Sequence, residues 1–285
     1  MPDDHDRMVT TRFAPSPNGW LHAGHAFSAL YAEDFARRRG GRFILRIEDI
    51  DFTRAREEYI EGIFEDLRWL GLRWTGPVPR QSTRMAAYRA ALNRLKEMGL
   101  LYPCQCSRKE IRQALEGQTD WPSDPDGAPL YPGTCRTAAR DEAAAAWRLD
   151  MKKALARLSA PLTWRETGSG PDGETGVIAA RPGDWGDVIL ARRDIGVSYH
   201  IAVVVDDAHQ GITHVTRGQD LYHATSIHRL LQALLGLPEP VYAHHRLITD
   251  ETGRKLSKSL RDTSLRALRK TGVTAEELKR MLGFA

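Results

Sequence analysis

Apolar residues in the N-terminal third recur in two rhythms, short runs that suit strands and three-to-four spacings that suit helices. Met8–Phe13 reads as a strand, and after a Pro/Gly loop the pattern predicts a helix from about His22 to Arg39, closed by Gly40 and Gly41. Phe43–Ile47 is the next short apolar run. Strand, helix and strand of this length form a βαβ unit, which implies a right-handed crossover and a parallel sheet. Tyr59, Ile60, Ile63, Phe64 and Leu67 share one face of a second predicted helix, Arg54–Leu70, and Thr83–Met98 is a third.

The rhythm breaks between Cys104 and Trp185. This stretch includes DWPSDPDGAPLYPG at 120–133 and reads as an insertion. Strands resume with Asp187–Ala191, Tyr199–Val205 and Thr213–Thr216, followed by a helix over Leu221–Leu235 and a strand at Val241–Ile248. Thr274-Ala275-Glu276-Glu277 is a capping box, so Thr274–Met281 should be helical. No internal repeat is visible. The expected architecture is a Rossmann-like α/β domain in two halves, 1–103 and 187–250, with an inserted subdomain at 104–186 and a short helical segment at 251–285.

Composition adds exclusions. With 285 residues, 41% hydrophobic and 27% charged, the chain is an ordinary globular protein, neither disordered nor fibrous, and long enough for one large domain with an insert. Apolar stretches such as Ile201–Val205 are too short to span a membrane, and the N-terminus carries Asp3, Asp4 and Asp6 where a signal region would be basic. The expectation is a cytoplasmic protein without a membrane partner. Charge is unevenly placed. Residues 254–285 hold nine Lys or Arg against three acidic residues, a net +6 that leaves −2 for the rest of a chain at +4. Such a tail suits a polyanionic partner, although a solvated helix face would look the same.

The candidate chemistry sits in two motifs and a cysteine group. In RFAPSPNGWLHAGH, residues 12–25, Pro15 and Pro17 fix φ and Gly19 permits a tight turn into a helix N-terminus, where an anion is favoured. His22 and His25 are one helical turn apart and can both donate to phosphate oxygens. KLSKS at 255–259 offers Lys255 and Lys258, compact cations suited to a leaving pyrophosphate. Together the motifs suit a triphosphate. Cys104, Cys106 and Cys135 in a cytoplasmic chain read as a structural zinc site, not as disulfides. No histidine lies between Cys106 and Cys135, so Asp120, Asp124 or a water could be the fourth ligand.

HAGH and KLSKS resemble the HIGH and KMSKS signatures of class I aminoacyl-tRNA synthetases. RFAPSPNGWLH, LRIEDID at 45–51, SYHIAVVVDD at 198–207 and THVTRGQDL at 213–221 further resemble the catalytic half of the glutamyl-tRNA synthetase family, over about residues 9–260. The resemblance implies an ATP-dependent ligase that uses Mg²⁺ with ATP and activates L-glutamate. His22, His25, Lys255 and Lys258 would be catalytic, with His22, His25 and Lys258 on ATP. Arg12, Phe13, Ala14, Pro15, Ser16, Glu48, Tyr199 and Arg217 would line the glutamate pocket. The chemistry agrees: Arg217 or Arg12 can pair with a carboxylate, Glu48 can hold the ammonium, and Tyr199 and Ser16 can complete the hydrogen bonds. A structural ion pair, such as Arg46 with Glu48, is the competing role.

Three departures point within the family. Only 26 residues follow Ser259, where the family continues into anticodon-binding domains, and Val203 stands where it usually has asparagine. Third, Cys104, Cys106, Tyr131 and Cys135 resemble the zinc site of a truncated branch, the glutamyl-queuosine tRNA(Asp) synthetases. Tyr131 enters as the fourth ligand through this resemblance alone. The branch implies that the glutamyl acceptor is the cyclopentenediol of queuosine in the anticodon loop of tRNA(Asp); the protein is expected to be a monomer. The alternatives are a truncated enzyme charging a tRNA 3′ end and a non-catalytic tRNA-binding paralogue. A different HIGH-type nucleotidyl transferase would leave IEDID and RGQDL unexplained.

Overall fold

The computed structural model describes residues 8–138, 141–143, 145–248 and 263–284. Its first unit is the expected βαβ: β1 (Thr10–Phe13), α1 (Ala23–Arg37) and β2 (Arg42–Leu45), with β1 and β2 paired in parallel from Thr10↔Arg42 to Phe13↔Leu45. α2 (Glu57–Trp69) and α3 (Met85–Glu97) follow, each starting two or three residues later than the apolar pattern suggested.

Short elements then fill the segment that carried no clear pattern. They are β3 (Leu101–Cys104), α4 (Arg108–Ala114), β4 (Ala146–Leu149), α5 (Met151–Leu155), β5 (Thr163–Glu166) and β6 (Gly176–Ala179). β7 (Ile189–Ala191), α6 (Tyr199–His209), β8 (His214–Gly218), α7 (Thr225–Leu235) and β9 (Val241–His245) come next, and α8 (Leu265–Lys270) and α9 (Ala275–Leu282) close the described chain. β5, β9 and β8 pair in parallel, with β6 antiparallel on the outer edge of β5. The Thr213 amide donates to Thr10 O at 3.1 Å, which brings β1 beside the start of β8 and sets the two parallel ladders next to each other. β3, β4 and β7 form a separate antiparallel sheet. Strand pairing therefore crosses both expected limits of the 104–186 segment: β4 joins β3 to β7, and β5 is part of the same sheet as β8 and β9.

One expectation is corrected. Tyr199–Val205 is not a strand but the first two turns of α6, starting after Ser198. Ile201, Val203 and Val204 favour strands intrinsically, yet all three are buried and pack with α3 and α7 residues such as Leu92, Leu95, Ile227 and Leu230. Tertiary packing outweighs a β-propensity worth at most about 1 kcal/mol. The helix also changes which side chains share a face, since Tyr199, Val203, Asp206 and Asp207 recur at helical spacing.

α9 takes the expected capping box, with the Glu277 amide donating to Thr274 Oγ1 at 3.2 Å and the Thr274 amide to the Glu277 carboxylate at 2.8 Å. Leu265, Leu278 and Leu282 pack into the core built on α1 and α2. Arg269 pairs with Asp66 at 2.9 Å, and the Arg266 guanidinium lies 4.7 Å from the Trp20 ring centre. Part of the basic C-terminal charge is thus spent on docking these helices. Among the described residues, no helix is long and apolar enough to cross a membrane.

Candidate active site

A cleft of about 770 Å³ opens at the carboxyl ends of β1 and β8. Arg12, Phe13, Ala14, Pro15, Ser16, His22, His25, Glu48, Tyr199 and Arg217, read from four separate sequence segments, all line it. Lys255 and Lys258 lie outside the described residues. The chain on either side of that segment does reach the cleft: Ile248 lines it, and Ser264 bridges His22 while the Leu265 amide donates to Leu21 O at 2.7 Å.

The loop after β1 is held from below by residues following β2. Glu48 N–H donates to Pro15 O at 3.0 Å and Arg56 N–H to Pro17 O at 3.1 Å. Gly19 has no positive φ, and a Cβ there would meet nothing within 4 Å, so the turn itself does not demand glycine at this position. Gly24 is the constrained one: its Cβ would lie 3.1 Å from His22 Cε1. The two histidines form a capping box made of imidazoles. His22, the N-cap of α1, accepts from Gly24 N–H through Nδ1 at 3.1 Å, and His25 Nδ1 accepts from His22 N–H at 3.2 Å. Accepting at Nδ1 leaves Nε2 of each ring as the N–H donor. Burial, with His22 adding to it, drives His25 down to about 3, so it is neutral at physiological pH. His25 is thus suited to donating to an anion, not to carrying charge.

Beneath the cleft runs an ion network that sequence reasoning reached only in part. Asp207 on α6 accepts from Arg12 Nε at 3.1 Å and from Arg46 Nη1 at 2.7 Å, and Arg46 Nη2 also pairs with Glu48 Oε1 at 2.9 Å. Arg12 donates a further bond to Thr216 O at 3.0 Å. The Arg46–Glu48 ion pair named above as a competing role is therefore present. Burial still pushes the Glu48 carboxyl up against the pull of Arg46. Its Oε2 has no hydrogen-bond partner among the described residues, and neither does the Tyr199 hydroxyl.

Arg217 differs from Arg12 in one decisive respect. Its guanidinium, on a residue only 6% exposed, donates to His244 Nε2 at 3.1 Å, His228 Nδ1 at 3.0 Å and Thr225 Oγ1 at 2.6 Å. Every partner is neutral: burial drives His244 to about 4 and His228 well below its ordinary value. No carboxylate among the described residues lies within ion-pair distance of it. A buried cation without a counter-charge at the wall of a cleft is arranged for an anionic ligand.

Residues 8–283 match the family model for the catalytic domain of class I tRNA synthetases (E and Q). The chain belongs to this family. A glutamyl-Q tRNA(Asp) synthetase from Rhodobacter capsulatus is 49% identical over 97% of this chain and 100% of its own length. A glutamate–tRNA ligase 2 from Nitrosococcus oceani is 40% identical over 95% of this chain and 57% of its own length. Among solved structures, the glutamate-tRNA synthetase of Elizabethkingia anophelis superposes with a TM-score of 0.71 at 28% identity, covering 94% of this chain, which spans about half (54%) of that one. The fold is accordingly the class I catalytic α/β domain with its parallel sheet.

In this synthetase the cysteine group lies at the far end of the β3–β4–β7 sheet. The sulfurs of Cys104, Cys106 and Cys135 lie within 4.8 Å of one another. Tyr131 Oη sits 3.4 Å from both Cys104 Sγ and Cys106 Sγ, and Cys106 Sγ is 3.4 Å from Cys135 Sγ. Tetrahedral Zn–S and Zn–O bonds of about 2.3 and 2.0 Å require ligand separations of about 3.5–3.8 Å. The three separations of 3.4 Å lie close to that range, so the cysteine group, with Tyr131 beside it, could hold one metal ion. Neither Asp120 nor Asp124 belongs to the group; Asp124 Oδ1 instead accepts two loop amides, from Asp126 and Ala128. Arg148 closes one side of the group, with Nε donating to Cys104 Sγ at 3.3 Å and its guanidinium 3.8 Å from the centre of the Tyr131 ring. Burial pushes the Cys106 thiol up, whereas at Cys135 the hydrogen bonds from Tyr131 and the neighbouring backbone outweigh burial and pull it down.

Sequence reasoning did not single out Asp207, His200, His228 or His244. Asp207 was readable, because a carboxylate eight positions after Tyr199 returns to the same helical face. Nothing local distinguishes the three histidines, which long-range packing brings together.

Proposed function

We propose that this chain uses ATP to activate L-glutamate as glutamyl-adenylate and transfers the glutamyl group to queuosine at the anticodon wobble position of tRNA(Asp). The observation that carries the amino-acid assignment is Arg217, buried and balanced by no carboxylate among the described residues. Arg12 is already matched by Asp207, so the side-chain carboxylate of glutamate belongs on Arg217. Glutamine, isosteric but neutral, leaves that guanidinium uncompensated. Glu48 Oε2 and the Tyr199 hydroxyl, both without hydrogen-bond partners among the described residues, suit the substrate ammonium and its polar surroundings. Ser16, exposed on the loop after β1, is assigned a further hydrogen bond.

A glutamate α-carboxylate oxygen then attacks the α-phosphorus of ATP. A P–O bond forms, the bond to the bridging oxygen breaks, and pyrophosphate leaves. The Nε2–H groups of His22 and His25 donate to phosphate oxygens, and Lys255 and Lys258, assigned on sequence, neutralise the pyrophosphate. Mg²⁺ accompanies ATP and supplies further charge neutralisation. In the second step a queuosine hydroxyl attacks the acyl carbon and AMP leaves. The tRNA(Asp) and queuosine acceptor rests on the Rhodobacter capsulatus relative, a glutamyl-Q tRNA(Asp) synthetase that matches 97% of this chain over its own full length.

Zinc, on Cys104, Cys106, Cys135 and Tyr131, would brace residues 104–186 and take no part in either step. We assign the protein as a cytoplasmic monomer. Glutamate-dependent exchange of pyrophosphate into ATP, with queuosine-bearing tRNA(Asp) present, tests the first step. Lys258→Ala is expected to lower it by about a hundredfold, the scale of one transition-state charge contact. Exchange driven equally well by glutamine, or unchanged in Lys258→Ala, would refute the assignments.

A further inference from the structure

We infer that Glu166 is a positioning residue for glutamate recognition, acting through His244 to fix the orientation of the Arg217 guanidinium. The inference rests on reading Arg217 as the partner of the glutamate side chain. Glu166 ends β5, in the segment otherwise concerned with the cysteine group, and its register partner on the parallel strand β9 is Tyr242. From there its carboxylate reaches His244, with Oε2 2.6 Å from Nδ1, and both side chains are 0% exposed. Oε1 is equally committed, accepting from the amides of His244 and Gly168 at 2.8 Å each.

Donor and acceptor chemistry determines the rest. A carboxylate held by amide donors can only accept from the imidazole, so the proton of His244 sits on Nδ1. Arginine can only donate, so Nε2 must present its lone pair to Arg217 Nε at 3.1 Å. Burial, opposed by Glu166 and reinforced by Arg217, holds His244 at about 4, and the ring stays neutral. On the other side Arg217 Nη1 meets His228 Nδ1 at 3.0 Å, and His228 Nε2 lies 3.2 Å from His200 Nδ1. The arginine thus forces the His228 proton onto Nε2, which faces His200. One line, Glu166–His244–Arg217–His228–His200, buried up to the half-buried His200, has a single self-consistent set of proton positions, and its only anion is at the Glu166 end. Glu166 thereby chooses which face of His244 accepts, while the bond strengths along the line aim the guanidinium. The 104–186 segment acquires a role in specificity beyond holding a metal.

Glu166→Gln reverses the polarity at one point. A carboxamide N–H facing Nδ1 favours the other His244 tautomer, which sets an N–H against Arg217 Nε–H. The test is glutamate-dependent pyrophosphate exchange with queuosine-bearing tRNA(Asp) present, alongside thermal unfolding of each protein. The expected result is a KM for glutamate raised about tenfold or more, with KM for ATP within about twofold of wild type. His244→Asn, which keeps an N–H for Glu166 but places no atom at the Nε2 position, should show the same split. Folded Glu166→Gln with wild-type glutamate KM would overturn the inference. So would parallel rises in both KM values, or unfolding of both variants, which would leave Glu166 a purely structural role. Absence of glutamate-dependent exchange in the wild-type protein is a different pattern, and would overturn the functional reading and this inference with it.

Discussion

Arg217→Ala is expected to lower kcat/KM for glutamate activation by about a thousandfold, with KM for ATP within about twofold of wild type. Truncating one member of a buried, hydrogen-bonded charge pair costs about 3–5 kcal/mol, and each 1.4 kcal/mol is a factor of ten. In the proposed assignment the other member is the substrate carboxylate, so the cost falls on substrate and transition state alike and appears mainly in KM. Without the guanidinium, His244, His228 and Thr225 also lose the donor they surround. Arg217→Lys should recover little. A single ammonium cannot meet three acceptors and a carboxylate at once, because it lacks the planar fork. Steady-state exchange at varied glutamate and then varied ATP decides the matter. An equal loss for both substrates would place Arg217 in general folding, not in glutamate recognition.

The second large effect concerns zinc. Protein purified without chelator is expected to contain close to one equivalent of zinc, and Cys104→Ser or Cys135→Ser to lose most of it. Tm should fall by on the order of 10 °C, since a few kcal/mol of metal-linked folding energy moves a domain of this size by that amount. The cluster around the site is small, Tyr102, Cys104, Tyr131 and Cys135 with Cys106 and Ile111 at its edge, and has little apolar area to hold it together otherwise. A chelator should bring the wild type to the Tm of the serine variants and leave those variants unmoved. Metal analysis showing no zinc near stoichiometric amounts would contradict the assignment.

How far these sites could be read from the chain varies with the range of the contacts. The loop at residues 14–20, the helix behind it and the helix of Thr274 rest on local rules: proline, glycine, one-turn histidine spacing and a capping box. Their positions were legible to within a few residues. Tyr199–Val205 reads as a strand because its valines carry a strand preference that only packing against α3 and α7 overrules. β3, β4, β5 and β6 lie in or beside the Pro/Gly-rich stretch, whose turn residues hide the strand rhythm. α4 was readable from Ser107 and Glu110, a capping box like that of α9. Tyr131 could be suggested as a companion of the cysteines only by resemblance. The contribution of Glu166 could not be foreseen, since it joins residues 78 positions apart through a strand pairing that no local pattern announces.

The most direct test of the central claim is the site of acylation. Labelled glutamate, ATP and the protein are incubated with four tRNA(Asp) preparations, with and without queuosine, each intact or lacking the terminal adenosine. The account expects label on both queuosine-bearing forms, whether or not the terminal adenosine is present, and on neither of the others. Label on queuosine-free tRNA, or its loss when the terminal adenosine is removed, would place the acyl group at the 3′ end and contradict the account.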